Sequence, residues 1–227
     1  MNLVPIKLFK EKKQMSLSLS ELRKEYALKS LTKKDVDPDP FKQFSIWFDE
    51  AKVSITGEPN AMVLSTAAAD GKPSSRVVLL KGFSNDGFLF FTNYLSRKGN
   101  ELHQNPSAAL LFFWGELERQ IRIEGNVEKI SREESQKYFL SRPRASQIGA
   151  LASGQSKPVE NRMILEERFR QLETAFGEKE IPCPEQWGGY IVKPNYFEFW
   201  QGRRSRLHDR ISYTPEAGAW KTERLSP

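Results

Sequence analysis

The chain has 227 residues, of which 38% are hydrophobic and 28% charged, and its formal net charge is +6. That length suffices to bury a sizeable core in one large domain or two small ones. No apolar run approaches the ~20 residues of a transmembrane helix, which excludes that class of protein. The single cysteine, Cys183, excludes an internal disulfide framework and favours a reducing compartment. We therefore expect a cytoplasmic protein.

The basic balance of the chain predicts an anionic partner. Lysine and arginine number 35 against 29 acidic residues, which suits nucleic acid, phosphorylated small molecules or an anionic membrane. Two histidines and one cysteine leave little for a soft-metal site, and we expect no metal.

The N-terminal segment differs from the rest. Residues 1–15 are basic and mildly apolar but lack the apolar core and cleavage site of a secretory signal. We predict a disordered tail there, with an organellar transit segment as the alternative. Residues 16–227 are predicted to form a single domain.

Two helices are predicted before the first strand. The stretch SLSELRKEYAL indicates a short helix capped by Ser18 or Ser20. In DPDPFKQFSIWFDEAKVS, Asp39 can cap a firmer helix and Pro40 suits its first turn. Apolar residues recur along that helix at helical spacing, a pattern more typical of core packing than of a ligand site.

The next segments are short and rich in β-branched and aromatic residues. Strands are predicted in AMVLSTAA, SSRVVLLKGF, GFLFFTN, AALLFFW and RQIRIEGNVEKI, with turn signals such as Asp70-Gly71 between them. Helices follow in SREESQKYFLS, stopped by Pro143, and in VENRMILEERFRQLETAFG, ended by Gly177. The segments GGYIVKP, YFEFWQG, RLHDRISYT and AWKTERL return to strand.

Closely linked strands favour an antiparallel sheet over βαβ units. The predicted fold class is therefore mainly β with helices (α+β). We expect an antiparallel meander or Greek-key barrel, decorated with helices and completed by the last strands.

Basic side chains recur near the C-terminus in RLHDR. In a strand, alternate residues share a face, so Arg206, His208 and Arg210 are predicted to project together, with Leu207 on the other side. The like charges of such a row must be balanced by a bound anion or solvated by water. A bound anion and a solvated outer face are both compatible with this pattern.

A second basic cluster lies in NYLSRKGNELHQNP. Ser96 is predicted to cap a helix that begins at Arg97, which places Arg97 and Lys98 in its first turn. Cations are unfavourable there by a few tenths of a kcal/mol each, and a bound phosphate reverses that sign. Simple solvent exposure is the alternative.

Two further signals are weaker. Arg76 and Lys81 bracket an apolar strand that should be buried, so they either extend to water or meet charged ligands at its two ends. Tyr138 and Arg142 are i,i+4 on a predicted helix, and Ser146 can cap the next one. Hydroxyl, guanidinium and hydroxyl groups together suit one phosphate.

The basic residues thus occur as separate clusters, which favours small phosphorylated ligands over a nucleic-acid polymer. Neither GxxxxGK[ST] nor GxGxxG is present to explain them.

Taken together, these stretches resemble the pyridoxine (pyridoxamine) 5′-phosphate oxidase family. The resemblance runs from Leu22 to the C-terminal ERLSP, and its most specific pieces are RVVLLKGF, FFTNYLSRKG, LERQIRIEG, YFLSRPRASQIGA, FWQG and RLHDR. It implies an FMN-binding split β-barrel that is a homodimer, with each flavin between subunits. It also implies oxidation of pyridoxine or pyridoxamine 5′-phosphate by O₂ to pyridoxal 5′-phosphate and hydrogen peroxide, and no nucleic-acid or membrane partner.

The resemblance also implies site residues. The positions that match FMN contacts are Arg76, Val77, Val78, Leu79, Leu80, Lys81, Phe91, Thr92, Arg97, Lys98, Gln120, Gln155, Ser156, Trp200 and Arg210. The positions that match substrate contacts are Lys81, Tyr138, Arg142 and Ser146 for the phosphate, Arg206, Leu207 and His208 for the ring, and Arg23, Lys24, Glu25 and Tyr26 for a lid.

Arg206 and His208 are the expected catalytic residues. Arginine stays protonated, so His208 is the better formal base, and a purely orienting hydrogen bond is the equal alternative. The chain departs from the family pattern at Arg203, Arg204 and Lys157. The rival functions are another split-barrel FMN protein (flavin reductase-like or a flavin carrier) and a non-catalytic binder of pyridoxal phosphate or nucleic acid.

Overall fold

A computed structural model describes residues 25–227. The predicted tail, the predicted caps Ser18 and Ser20, and the lid residues Arg23 and Lys24 lie outside that range. No helix of the described residues is long and apolar enough to cross a membrane.

Five helices and nine strands make up the described part of the chain. The helices are α1 Pro40–Ser54, α2 Arg97–Gln104, α3 Arg132–Ser141, α4 Arg144–Ala152 and α5 Arg162–Phe176. The strands are β1 Ala61–Ala67, β2 Pro73–Leu79, β3 Gly82–Ser84, β4 Gly87–Asn93, β5 Ser107–Trp114, β6 Arg119–Lys129, β7 Trp187–Gln201, β8 Asp209–Glu216 and β9 Ala219–Leu225.

All nine strands belong to one antiparallel sheet. Its order is β2-β1-β5-β6-β7-β4-β3, and β8 pairs with both β7 and β9. The pairings of β1 with β5 and of β4 with β7 skip intervening elements, so the sheet is not a simple meander. The predicted antiparallel α+β fold class is confirmed, and the last strands complete the sheet as expected.

The core lies between α1 and the inner face of the sheet. Asp39 caps α1 by accepting a hydrogen bond from the Phe41 backbone N–H at 2.9 Å, as predicted. The ring of Phe44 is fully buried and lies edge-on to Phe88 and Phe112, at centroid distances of 4.9 and 5.2 Å. Burial of each such ring stabilises the fold by ~1.5–3 kcal/mol.

Three predictions of secondary structure near the candidate site are wrong. Glu25–Leu28 is not helical, because the Glu118 carboxylate accepts hydrogen bonds from the backbone N–H groups of Ala27 and Leu28 at 2.8 and 3.0 Å. GGYIVKP and YFEFWQG form one continuous strand, β7. The strand predicted over RLHDRISYT begins only at Asp209, after a short 3₁₀ turn.

The apolar strand β2 is not buried as predicted. It lies at an edge of the sheet, and Val77 on it is 66% exposed. An edge strand has a neighbour on one side only, so apolar composition alone does not ensure its burial.

Candidate active site

The first cationic cluster is built at the start of α2. The Ser96 hydroxyl accepts a hydrogen bond from the Gly99 backbone N–H at 3.3 Å, which confirms the predicted cap. A Cβ atom on Gly99 would collide with the backbone carbonyl of Tyr94. Glycine therefore lets α2 pack directly on the chain that leaves β4, and this packing positions Arg97 and Lys98.

Lys98 is buried among neutral oxygen atoms. Its Nζ donates to Thr92 Oγ1 at 3.0 Å and to Gln155 Oε1 at 2.8 Å, and only 8% of the residue is exposed. Burial, together with the nearby charge of Arg76, lowers the pKa of Lys98 to about 8. A bound anion would stabilise this ammonium group.

Glu101 binds the two arginines of this cluster. Its carboxylate accepts hydrogen bonds from Ser74 at 2.6 Å and from Arg97 at 2.8 Å, and Arg76 Nη2 lies 3.3 Å away. Burial opposes ionisation, but the hydrogen bonds from Ser74, Thr66 and Arg97 outweigh it and lower the pKa of Glu101 to about 2.

Arg76 and Arg97 thus share the Glu101 carboxylate, whereas Lys98 bonds only neutral acceptors among the described residues, so the cluster retains positive charge. Guanidinium and ammonium groups arranged this way suit a phosphate monoester.

A second cationic cluster lies on an aromatic platform. The rings of Phe91, Tyr138 and Trp187 are nearly parallel, with Phe91 and Tyr138 centroids 3.8 Å apart. The Arg142 guanidinium lies 4.8 Å from the Trp187 ring centroid. Arg142 is not on the helix as predicted, because α3 ends at Ser141 and Arg142 has extended backbone.

Arg142 is the second cluster's unsatisfied cation. Its buried Nη1 has no hydrogen-bond partner among residues 25–227, and burial lowers its pKa. A buried guanidinium nitrogen without an acceptor indicates a missing anion or water. Ser146 lies in the first turn of α4 and is not its cap as predicted, since that helix begins at Arg144.

A third group joins the end of β7 to the start of β8. The ring centroids of Trp200 and His208 are 4.6 Å apart, and Tyr26 packs edge-on against both at 5.8 and 5.9 Å. The Arg203 backbone N–H donates to His208 Nδ1 at 3.1 Å. Arg206 is exposed and has a left-handed backbone, with φ of 61°.

The predicted common face of Arg206, His208 and Arg210 is therefore wrong. Only Arg210 lies in β8, because the backbone turns at Ser205 and Arg206, and strand alternation does not apply there. Arg210 instead shares a row with Gln120 and Trp200, since the three residues are directly opposite across β6, β7 and β8.

The remaining predicted positions are more dispersed. Lys81, Ser156 and Leu207 are exposed, and within the described range Lys81 and Ser156 make no side-chain hydrogen bond. Val78 and Leu79 are half-buried and Leu80 is buried against the core. Nothing in these positions alone indicates a ligand.

Three carboxylates were missed by the sequence analysis. Glu101 organises the first cluster, and its i,i+4 spacing from Arg97 is a signal for that pair. Glu198 binds Arg210 through two hydrogen bonds at 2.8 and 3.0 Å, and a lone acid inside YFEFW is a weaker signal. Glu118 accepts hydrogen bonds from the backbone N–H groups of Ala27 and Leu28, in the segment that carries Tyr26, and no sequence pattern points to it.

The fold and the two cationic clusters define an antiparallel split-barrel protein with separate sites for anionic groups. Residues 48–176 match the family model described as pyridoxamine 5′-phosphate oxidase. Residues 187–227 match the model described as the pyridoxine 5′-phosphate oxidase C-terminal dimerisation region. The chain belongs to the pyridoxamine 5′-phosphate oxidase family.

Individual proteins support the same assignment. The chain is 57% identical over 211 residues to a pyridoxine/pyridoxamine 5′-phosphate oxidase of Paraburkholderia phymatum, covering 92% of this chain and 99% of the relative. It is 54% identical to the one of Rubrobacter xylanophilus, covering 92% and 96%. The solved structure of PhzG from Burkholderia lata, in complex with tetrahydrophenazine-1-carboxylic acid, aligns with a TM-score of 0.81 at 32% identity, covering 87% and 98%.

Proposed function

We propose that this chain oxidises pyridoxine 5′-phosphate and pyridoxamine 5′-phosphate to pyridoxal 5′-phosphate, with bound FMN and O₂. The alcohol and O₂ give the aldehyde and hydrogen peroxide; the amine also consumes one water and releases ammonia. FMN, when bound, supplies a hydride acceptor whose electrons O₂ removes. The observation that carries this proposal is the presence of two separate cationic clusters, one for each phosphate.

The residues of the first cluster fit the FMN phosphate. Arg76 and Arg97 share the Glu101 carboxylate, and the buried Lys98 amine has only neutral acceptors in its own hydrogen bonds. We assign Arg76, Arg97 and Lys98 to the flavin phosphate. Thr92 and Gln155 position the lysine for that contact.

The residues of the second cluster fit the substrate phosphate. The unpaired Nη1 of Arg142 supplies a donor, and Tyr138 and Ser146 supply hydroxyl groups on the two helices beside it. Lys81 is free to move toward the same anion because it is exposed. Two anchored phosphates would fix the substrate ring against the flavin and favour reactive geometry.

The sheet supports a flavin held between two copies of the chain. Arg76 is opposite the buried Leu64, so it lies on the inner face. Gln120, Trp200 and Arg210 lie on the outer face, because the alternate positions of their strands are core residues. One flavin reaches both sets most simply if they come from different subunits.

Exposed apolar side chains on that outer face suit a subunit contact. Val77 is 66% and Phe113 59% exposed, and cross-strand pairing places both on the face of Gln120. Patches of this kind mark association surfaces. We infer a homodimer in which residues 187–227 contribute to the interface. We also infer a cytoplasmic location, which suits a chain with one unpaired cysteine.

The test is oxygen consumption by FMN-reconstituted protein. We expect O₂ uptake and equimolar hydrogen peroxide with pyridoxamine 5′-phosphate, and little with unphosphorylated pyridoxamine. A flavin reductase would instead consume oxygen with NADH. A flavin carrier would consume none with pyridoxamine 5′-phosphate, pyridoxamine or NADH. A yellow protein without uptake on the phosphorylated amine contradicts the proposal.

A further inference from the structure

His208 is held in place through one of its two ring nitrogens. The Arg203 backbone N–H donates to Nδ1 at 3.1 Å. A backbone N–H can only donate, so Nδ1 must carry a lone pair. Neutral imidazole has a single N–H, and in this arrangement it is on Nε2.

The Nδ1 bond also stabilises a strained loop. Ser205 and Arg206 have left-handed backbone, with φ of 57° and 61°, which is unfavourable by ~1–2 kcal/mol for each non-glycine residue. The bond to His208 closes this loop, with a second bond from the Leu207 N–H to the Arg204 carbonyl at 3.1 Å. Release of Nδ1 during turnover would therefore loosen the segment that carries Arg206.

The other ring nitrogen is available to a ligand. Nε2 of His208 has no hydrogen-bond partner in the described part of the chain, and the ring is half-buried against Trp200 and Tyr26. Burial, and then the nearby charge of Arg206, lower the pKa of His208. Both effects favour the neutral ring.

We propose that His208 acts on the substrate only as a hydrogen-bond donor through Nε2–H, and that it does not take the substrate proton. This inference rests on the proposed oxidase function. As hydride leaves C4′ for the flavin, the O–H or N–H bond on the attached atom breaks and its electron pair forms the new double bond. The proton must leave to an acceptor other than His208, because neither nitrogen of its ring has a free lone pair.

The tautomer can be read directly, since the chain has only two histidines. Nitrogen-15 labelling of histidine in the FMN-loaded full-length protein should give two imidazole spin systems. His103→Gln, at an exposed position in the last turn of α2, assigns them. We expect an unprotonated Nδ1 and a protonated Nε2 on His208 near neutral pH; the opposite tautomer or a doubly protonated ring would overturn the proposal.

Two variants separate the two ring nitrogens by kinetics. The amide nitrogen of His208→Gln can occupy the Nε2 position and keep a donor, whereas His208→Asn can keep only the acceptor at the Nδ1 position. We expect turnover of His208→Gln within about 10-fold of the parent and a larger loss for His208→Asn, which has no donor at the Nε2 position. If His208 were the general base, its loss would lower the rate of His208→Gln by about 10²–10⁴-fold. A loss in that range for an FMN-loaded His208→Gln would overturn the donor role.

Failure of the proposed function is distinguishable from failure of this inference. The nitrogen spectra report the tautomer whether or not the protein oxidises anything. Absent oxygen uptake by the parent protein refutes the oxidase function alone.

Discussion

The Lys98 ammonium group donates to the Gln155 side-chain oxygen at 2.8 Å and so links the start of α2 to the turn after α4. The bond connects two segments that are 57 residues apart in the chain. It keeps a buried lysine aimed at the place that we assign to the flavin phosphate.

FMN affinity should depend on pH through Lys98. The pKa of Lys98 is lowered to about 8 in the free protein, and a bound dianion should raise it again. Affinity should therefore be constant below that value and fall above it, by up to tenfold for each pKa unit of the rise. Titration of apoprotein with FMN between about pH 7 and pH 9, followed by flavin fluorescence, measures this. Lys98→Met should bind weakly and without that dependence; a parent affinity that rises above pH 8 would contradict the assignment.

Glu101 should stabilise the apoprotein at neutral pH. Its pKa is lowered from 4.5 to about 2, so its contribution is present above about pH 4.5 and is lost as pH falls toward 2. The shift corresponds to about 3 kcal/mol. Urea unfolding at fixed protein concentration should show Glu101→Gln destabilised at pH 7, with the difference shrinking in acid.

The matched control for Glu101 is an exposed ion pair. Glu128→Gln removes the pair with Lys193, whose side chains are 56% and 50% exposed. Its effect should stay below about 1 kcal/mol. Equal effects of the two substitutions would show that Glu101 has no special role.

Gly202 should be required by the Tyr26 segment. A Cβ atom at position 202 would lie 2.7 Å from Tyr26 Cβ and Cγ and 3.1 Å from Glu118 Cβ. Gly202→Ala should displace Tyr26 from Trp200 and His208 and raise KM for the phosphorylated substrate, with FMN still bound. Steady-state oxygen uptake measures KM. Gly149→Ala is the control, because its Cβ meets nothing within 4 Å, and it should leave KM unchanged.

Arg142 should be needed for substrate binding and not for stability. Its buried Nη1 without a hydrogen-bond partner among the described residues destabilises the free protein. We expect Arg142→Met to raise KM for pyridoxamine 5′-phosphate about 10- to 100-fold, because the substrate phosphate loses one charged hydrogen bond. The free energy of unfolding should stay equal or increase; a marked decrease would indicate a structural role. The exposed Arg162→Met should change neither quantity.

Much of the fold follows from local patterns in the sequence. Asp39 and Ser96 were predicted as caps because side-chain oxygen and helix start are neighbours in the chain. The loop at Arg206 was not predicted, because its left-handed backbone depends on contacts with Asp209 and His208 that strand alternation cannot reveal.

The site residues could be predicted where a basic side chain stands at an unfavourable position, but the carboxylates that balance such side chains could not. Arg97 and Lys98 at a helix start conflict with local electrostatics, and this conflict pointed to an anion. Glu101 also pairs with Arg76 on β2, and Glu198 pairs with Arg210 on the neighbouring strand, so only the folded chain identifies these two partners.

The division of labour between the first cationic cluster and the loop that carries Arg206 and His208 is tested by one comparison of variants. Arg206→Ala and the double substitution Arg97→Ala with Lys98→Ala are purified, and flavin content, FMN dissociation constant and turnover are measured. We expect Arg206→Ala to remain yellow with reduced turnover, and the double variant to bind FMN about 100- to 10⁴-fold more weakly, since two charged contacts are removed. A colourless Arg206→Ala beside a yellow, active double variant would contradict the roles assigned to the first cluster and to the Arg206 loop.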